Sequence, residues 1–409
     1  MWIFGDQPFR NWNRRQRLIS SFFANWLHLC SHPFHILASA RFLGFPKTPV
    51  AGELWSRVVL RVGRYMTVCL VTGGAGFIGS HLVEALLARH DRVRVLDDFS
   101  SGSWAYLENV RSEIELITGD VGDLKTVRTA VQGVDVIFHL ACASASTHSL
   151  AIHRTTATGT LYVLESARDA QVRRVVYAAA ADVYQDDDDQ LRRETDPTLP
   201  RSIHAAAKLA AEHYCLNFSR LHGLETVRLR YFDVIGPRQP TEEPHASALA
   251  RFLDRMKRGL GPLIPGDGMQ TRDFTSVDDV VQANLLAASA PRVSGKIFNI
   301  ASGQPSTLLD LLSVLNTALG TDLTPMHVPP RDGEPRHLQA NIERAQTELG
   351  FCPCTNLARE VRRCLGEPET PVQAQPGTAA THPGLRPHAP LRSILNPPHS
   401  RRDPTYRPH

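Results

Sequence analysis

The residues of this chain best suited to holding a ligand are three glycines and an aspartate. Gly73, Gly76 and Gly79 lie in the run VCLVTGGAGFIGS at 68–80, where a short apolar strand leads through a glycine-rich turn into a helix. Gly73 permits a tight turn, Gly76 lets the backbone approach a pyrophosphate, and Gly79 lets the new helix sit close on the strand. The helix start then offers unpaired N–H groups and the positive end of its dipole, an anion site that needs no basic side chain. A glycine triplet alone is a weak signal. Here a second strand over 92–96 runs into Asp97, at the spacing where an acid meets a ribose 2′-hydroxyl. A carboxylate there repels a 2′-phosphate, so the pattern favours NAD over NADP.

The elements that must hold this turn alternate along the chain. Short apolar stretches at 114–119, 135–140, 174–179 and 226–231 read as strands, and the longer stretches 76–89, 124–132, 155–170 and 204–221 read as helices. Such alternation predicts an α/β fold with a parallel sheet covered on both faces and right-handed crossovers. A ligand then binds outside the carboxyl ends of the strands. Beyond residue 236 the pattern loosens into Gly- and Pro-rich turns around short helices, which suggests a smaller cap over that crevice.

The 409 residues are 42% hydrophobic, enough for one large core or two modest ones. Both ends are expected to stand outside it. Residues 1–65 carry many arginines and aromatics, with Asp6 and Glu53 as their acids, and no sustained period. They read as an upstream extension or a misplaced start, with a transit peptide as the minority reading. The apolar run from Leu18 to Leu43 is broken by Asn25, His28, His32, His35 and Arg41, too often for a membrane span. Residues 367–409 are dense in proline and are expected to be disordered, because they cannot bury enough apolar surface to offset their ordering entropy. The net charge of +4 comes largely from these ends and is poor evidence for nucleic acid binding. The seven cysteines are scattered, with Cys352 and Cys354 forming a lone C-x-C. Without a second pair at zinc spacing, they read as reduced thiols of a cytoplasmic protein, with no metal expected.

Eight ordered motifs turn this pattern into a resemblance. TGGAGFIGSH at 72–81, LDDFSSG at 96–102, GDVGD at 119–123, VDVIFHLAC at 134–142, TGTLYVLESAR at 158–168, RYFDVIGPRQ at 230–239, GDGMQTRDFTSVDDVV at 266–281 and IFNIASG at 297–303 resemble the extended short-chain dehydrogenases. The nearest branch is the NAD-dependent nucleotide-sugar epimerases and dehydratases, above all the UDP-sugar 4-epimerases, and the likeness runs from about 66 to 365. It implies a Rossmann-type doubly wound sheet over 66–235, a substrate-binding region over 236–366 interleaved with it, and a homodimer formed by the helices at 155–170 and 204–221. It also implies a nucleotide-sugar ligand and NAD. In that family the pyrophosphate contacts fall on Gly73, Gly76, Phe77, Ile78 and Gly79, and the adenosine ribose on Asp97. Asp120 and Val121 would lie beside the adenine, while Leu140, Ala141 and Cys142 would run under the cofactor. Arg272 and Arg331 match arginines that hold the diphosphate, and Glu334 stands where an aspartate meets the uridine ribose.

The catalytic positions depart from the family. Its reaction moves a hydride from the sugar C4 to the nicotinamide and back to the other face, with a tyrosine as base four residues before a lysine. Here the stretch reads H204-A-A-A-K208, so His204 stands for the tyrosine while Lys208 is kept. The partner hydroxyl, four residues before Tyr184, is replaced by Ala180, and the supporting asparagine by Thr156. His204 is the remaining candidate base, with Lys208 helping to keep its ring neutral. Its nitrogen reaches less far than a phenol oxygen, by roughly 2 Å, and a loss of at least about 100-fold is expected. The competing reading is a catalytically silent protein that binds NAD or a nucleotide sugar. Asp233 replaces an asparagine near the diphosphate and would repel it. Asp182 sits where decarboxylases and dehydratases place a glutamate, and reads as a loop cap. The run Asp186 to Asp189 reads as a solvated loop. Arg272 has an alternative role, a salt bridge to Asp278 or Asp279.

Overall fold

Alternation along the first strand decides the layering. In the computed structural model, which describes residues 66–143, 148–184, 191–240, 247–330 and 336–367, strand β1 (Val68–Thr72) sends Cys69 and Val71 into one apolar layer and Leu70 into the other. With both faces buried, it becomes the middle of a parallel sheet. The partners are β2 (Arg92–Asp97), β3 (Ile114–Thr118), β4 (Val136–His139), β5 (Arg174–Ala180), β6 (Glu225–Tyr231) and β7 (Lys296–Ile300). Their order is β7-β6-β5-β4-β1-β2-β3, all parallel. The order reverses at β1, so a crevice opens outside the carboxyl ends of β1 and β4.

Helix α1 (Phe77–Ala88) covers one face through Leu82, Val83 and Leu86. The other face is covered by α2 (Leu124–Ala130), α3 (Gly159–Asp169) and α4 (Ile203–His222), whose Val127, Val163, Leu164, Ala211, Cys215 and Phe218 form the second core layer. α3 begins at Gly159, later than the sequence pattern suggests, because residues His153–Thr158 form a wider π-type turn. Thr160 Oγ1 donates back to the Thr156 carbonyl at 2.6 Å across that turn.

The region beyond 236 does two jobs. Helix α5 (Ala248–Lys257) packs Phe252, Leu253 and Met256 against Leu311, Leu312 and Leu315 of a later helix, a small core separate from the sheet. Helix α6 (Val277–Ser289) and strand β7 instead return to the sheet, α6 joining α1 on its face and β7 becoming the edge beside β6. The later helix, α7 (Leu308–Leu319), starts at a capping box in which Thr307 and Asp310 bond each other's backbone N–H.

One buried clamp fixes α4, the helix that carries His204 and Lys208. Arg230 of β6 donates from Nε and Nη2 to the two carboxylate oxygens of Glu212 at 2.9 and 2.7 Å. Its guanidinium also lies 4.5 Å from the ring centre of Tyr184, whose hydroxyl donates to Asn299 Oδ1 at 2.6 Å. Among the described residues no helix is long and apolar enough to cross a membrane. Segments 1–65 and 368–409, the aspartates 186–189, Arg331 and Glu334 lie outside the described residues.

Candidate nucleotide-binding cleft

A cleft of about 370 Å³ opens where the strand order reverses, and its walls hold most of the residues singled out by sequence. The glycine turn forms one end. Gly73 is left-handed at φ +72°, and a Cβ there would come within 2.8 Å of the Ala141 nitrogen. A Cβ on Gly79 would collide with the Gly73 carbonyl. Gly76 caps α1 with no side-chain bond and no acid in the first turn, so the helix N-terminus is open to an anion. A Cβ at Gly76 would meet only the Gly73 carbonyl, at 3.2 Å; its bareness serves the cleft more than the fold.

Asp97, at the end of β2, closes the turn from behind. Its two oxygens accept from the N–H groups of Ala75 and Phe99, each at 2.8 Å. Burial pushes its pKa up, while those two N–H bonds pull the other way. Each oxygen keeps acceptor capacity for a ribose hydroxyl. Beside it Asp120 accepts from the Gly122 N–H at 2.7 Å and pairs with Arg154 at 2.6 Å. Val121, Leu140, Ala141, Phe77 and Ile78 line the same cleft. The residues present therefore suit a dinucleotide: a bare turn for phosphates, an acid for a ribose, and an apolar floor.

The far end of the cleft gathers the residues that depart from the family. Lys208 is buried, donates to the Ala178 carbonyl at 2.8 Å, and sits 5.3 Å from the Tyr177 ring centre. Of its three donors one is held by that carbonyl and a second is drawn to the Cys142 sulfur, which leaves one for a ligand. Ala180 puts a methyl group on the wall. Thr156 accepts from the Ala143 N–H at 3.3 Å, a bond within the protein. His204, one turn before Lys208, bonds through Nδ1 to Asp182 Oδ2 at 3.3 Å.

Two expectations change here. Asp182 does not act as a loop cap; it holds the imidazole. Nor is His204 kept neutral by Lys208. Burial and Lys208 do pull its pKa down, but Asp182 and the Cys142 thiol together lift it to about 9, so the imidazolium is the resting form at neutral pH. Cys142 moves in the opposite sense. Burial raises it, and the Lys208 and His204 charges bring it down to about 6. A thiolate, an imidazolium and a carboxylate thus stand in a row at the nicotinamide end expected from the resemblance. No spacing rule reveals this row, because Cys142 follows β4, Asp182 follows β5 and His204 opens α4.

Arg272 lies apart from the cleft wall. It is buried in a two-residue strand (Thr271–Arg272) and donates to the carbonyls of Thr271 and Arg336. Asp278, one candidate bridge partner, is paired with Arg363, and Asp279 accepts from Cys354 and Thr355. Among the described residues no group of His, Cys, Asp and Glu has the arrangement of a metal site.

Comparison with known proteins agrees with this cleft. The model of the NAD dependent epimerase/dehydratase family matches residues 69–301. A UDP-glucose 4-epimerase of Mycolicibacterium smegmatis is 35% identical over 306 residues, 72% of this chain and 96% of the relative. The crystal structure of a UDP-glucose 4-epimerase with UDP-glucose from Thermotoga maritima superimposes with a TM-score of 0.69 at 32% identity, covering 73% of this chain and 98% of the other. That of the Thermus thermophilus UDP-glucose 4-epimerase in complex with NAD gives 0.67 at 30% identity, with 73% and 98% covered. The doubly wound sheet, the glycine turn and the run of matched residues make one conclusion: this chain belongs to the NAD dependent epimerase/dehydratase family.

Proposed function

We propose that the cleft holds NAD and a UDP-sugar, and that the protein is a 4-epimerase-type enzyme whose rate is set by the small neutral fraction of His204. NAD, when bound, supplies a hydride acceptor and donor for the sugar carbon. The chain's own residues do the rest. Gly73, Gly76 and Gly79 would leave room for the pyrophosphate, Asp97 would accept ribose hydroxyls, and Lys208 would orient the nicotinamide ribose. Neutral His204 would take the proton of the sugar hydroxyl. Arg272, Arg331 and Glu334 are proposed for the diphosphate and uridine end. Support for the ligands comes from the NAD and UDP-glucose complexes of the related epimerases.

The observation that carries this reading is the ion pairing of His204 with Asp182 and Cys142. With its pKa at about 9, roughly one part in a hundred of His204 is neutral at pH 7. Turnover of UDP-galactose should therefore rise about tenfold per pH unit until it levels near pH 9. Calorimetry must first establish NAD binding. Turnover no greater than that of Lys208→Ala at every pH would overturn the epimerase reading. A second reading, favoured by the Ala180 methyl that cannot orient a proton, is a silent binder of NAD or nucleotide sugar. It expects NAD to raise the melting temperature, with no reduced cofactor on adding any UDP-sugar.

The assembly fits the same reading. Leu161, Tyr162 and Tyr214 are half-buried on α3 and α4, and pairing these helices with those of a second copy would make a four-helix contact and a homodimer. Six free cysteines among the described residues suit a reducing, cytoplasmic compartment.

A further inference from the structure

Three of the six cysteines among the described residues lie in the sheet, in α4 and on the cleft wall, and they differ in their surroundings. Cys69 and Cys215 are buried in the core, and burial pushes both up to about 12, which makes them inert. Cys142 is partly exposed on the cleft wall, the same wall that carries His204 and Lys208. The two cationic side chains both interact with its sulfur. Behind them Asp182 Oδ2 holds His204 Nδ1 at 3.3 Å, which leaves Nε2 as the ring nitrogen available to the sulfur. The nucleophile, the base and the group that orients the base are thus assembled in one chain of contacts. Tyr177, from β5, also bears on the sulfur, and burial keeps its phenol protonated, so it adds no charge.

We propose that Cys142 is a modification site: a nucleophilic thiolate, reached through the cleft, that is oxidised by hydroperoxides to the sulfenic acid and is shielded when the cleft is filled by dinucleotide. In that step the sulfur lone pair forms an S–O bond as the O–O bond breaks. Sulfur is oxidised by two electrons and the peroxide oxygen reduced. The departing hydroxide, or the alkoxide of an organic hydroperoxide, takes the His204 proton and leaves as water or as the alcohol. The residue row supplies both needs of the reaction, a thiolate to attack and an acid to protonate the leaving group. The same proton transfer leaves His204 neutral, so oxidation and epimerase-type base function draw on one side chain. Only the shielding part rests on the NAD reading above.

The test uses the full chain without added cofactor. Iodoacetamide labelling of each cysteine is followed by mass spectrometry across pH 5 to 9, and hydrogen peroxide treatment is trapped with dimedone. Labelling of Cys142 should titrate with a midpoint near 6, and exposed Cys352 serves as the reference thiol in the same samples. His204→Gln should move the Cys142 midpoint up and slow its labelling at pH 6 several-fold, with Lys208 still holding part of the shift. Asp182→Asn, at a half-exposed side chain, should move the midpoint up as well, with circular dichroism confirming the fold of each variant. Dimedone should mark Cys142 ahead of Cys352. A Cys142 midpoint equal to that of Cys352, or one unmoved in both variants, overturns the proposal. Where calorimetry finds NAD bound, protection should follow the same binding curve, and saturating NAD without protection overturns the shielding. Absence of NAD binding would sink the cofactor reading instead, and the pH profile alone would then decide the thiolate.

Discussion

A phenol hydrogen-bonded to a sugar hydroxyl and an imidazolium bonded to a carboxylate are opposite tools, since one can accept a proton as its anion and the other has one to give. At position 204 this chain holds the second, because Asp182 and Cys142 together outweigh burial and Lys208. The sign is checkable. His204 carries a folded pKa above its ordinary 6.5, so its charge is retained to about pH 9 and lost above. In Cys142→Ser the thiolate is gone, and the His204 titration followed by NMR should move down; an unchanged midpoint would mean that Asp182 alone sustains the charge. Restoration is the stricter prediction at this scale. His204→Tyr with Ala180→Ser should bring back measurable hydride transfer from a UDP-sugar to NAD, and each change alone should do less, because base and orienting hydroxyl act as a unit. If the double variant binds NAD and UDP-sugar yet forms no keto-sugar, positioning is at fault, with Asp233 the first suspect.

Elements explain why those side chains meet. Gly76 in the turn between β1 and α1 and Gly79 in the first turn of α1 have different duties, and substitution separates them. In Gly79→Ala the new methyl collides with the Gly73 carbonyl, so the helix must shift from the strand and the protein should lose stability by about 2 kcal/mol or more. In Gly76→Ala the methyl meets backbone only at 3.2 Å and faces the cleft, so the melting temperature should change little while NAD affinity falls at least tenfold. Urea denaturation and calorimetry on the pair would check this, and equal losses of stability would refute it. The clamp on α4 gives a second prediction at this scale. Glu212→Ala leaves Arg230 buried without its bidentate carboxylate, and breaking such a pair costs about 3 to 5 kcal/mol. Since α4 carries His204 and Lys208, weaker NAD binding should accompany the lost stability.

At the scale of the whole molecule, the sheet was legible in the sequence wherever a strand is buried on both faces. Val68, Leu70 and Val71 announce β1 by being apolar throughout, and the glycine turn dictates the helix after it. β7 was harder to read: its segment stands out as a motif, but the turns between 236 and 276 hide that the chain comes back to the sheet edge. The row of Cys142, Asp182 and His204 was not legible at all, since two strand ends and a helix start bring it together and no local period records that. On α3 and α4, Leu161, Tyr162 and Tyr214 pack on the core yet remain partly open, as residues at the centre of a helix-to-helix interface would be before pairing. A standard interface buries about 800 Å² per partner, with aromatic residues near its centre contributing most. The full chain should therefore sediment as a dimer, and Tyr162→Asp should weaken it by about 100-fold, since a desolvated carboxylate without a partner costs at least the roughly 2.7 kcal/mol this requires. Sedimentation velocity over a concentration series reads both. A wild-type chain that remains monomeric at every concentration would show that these helices serve the core alone.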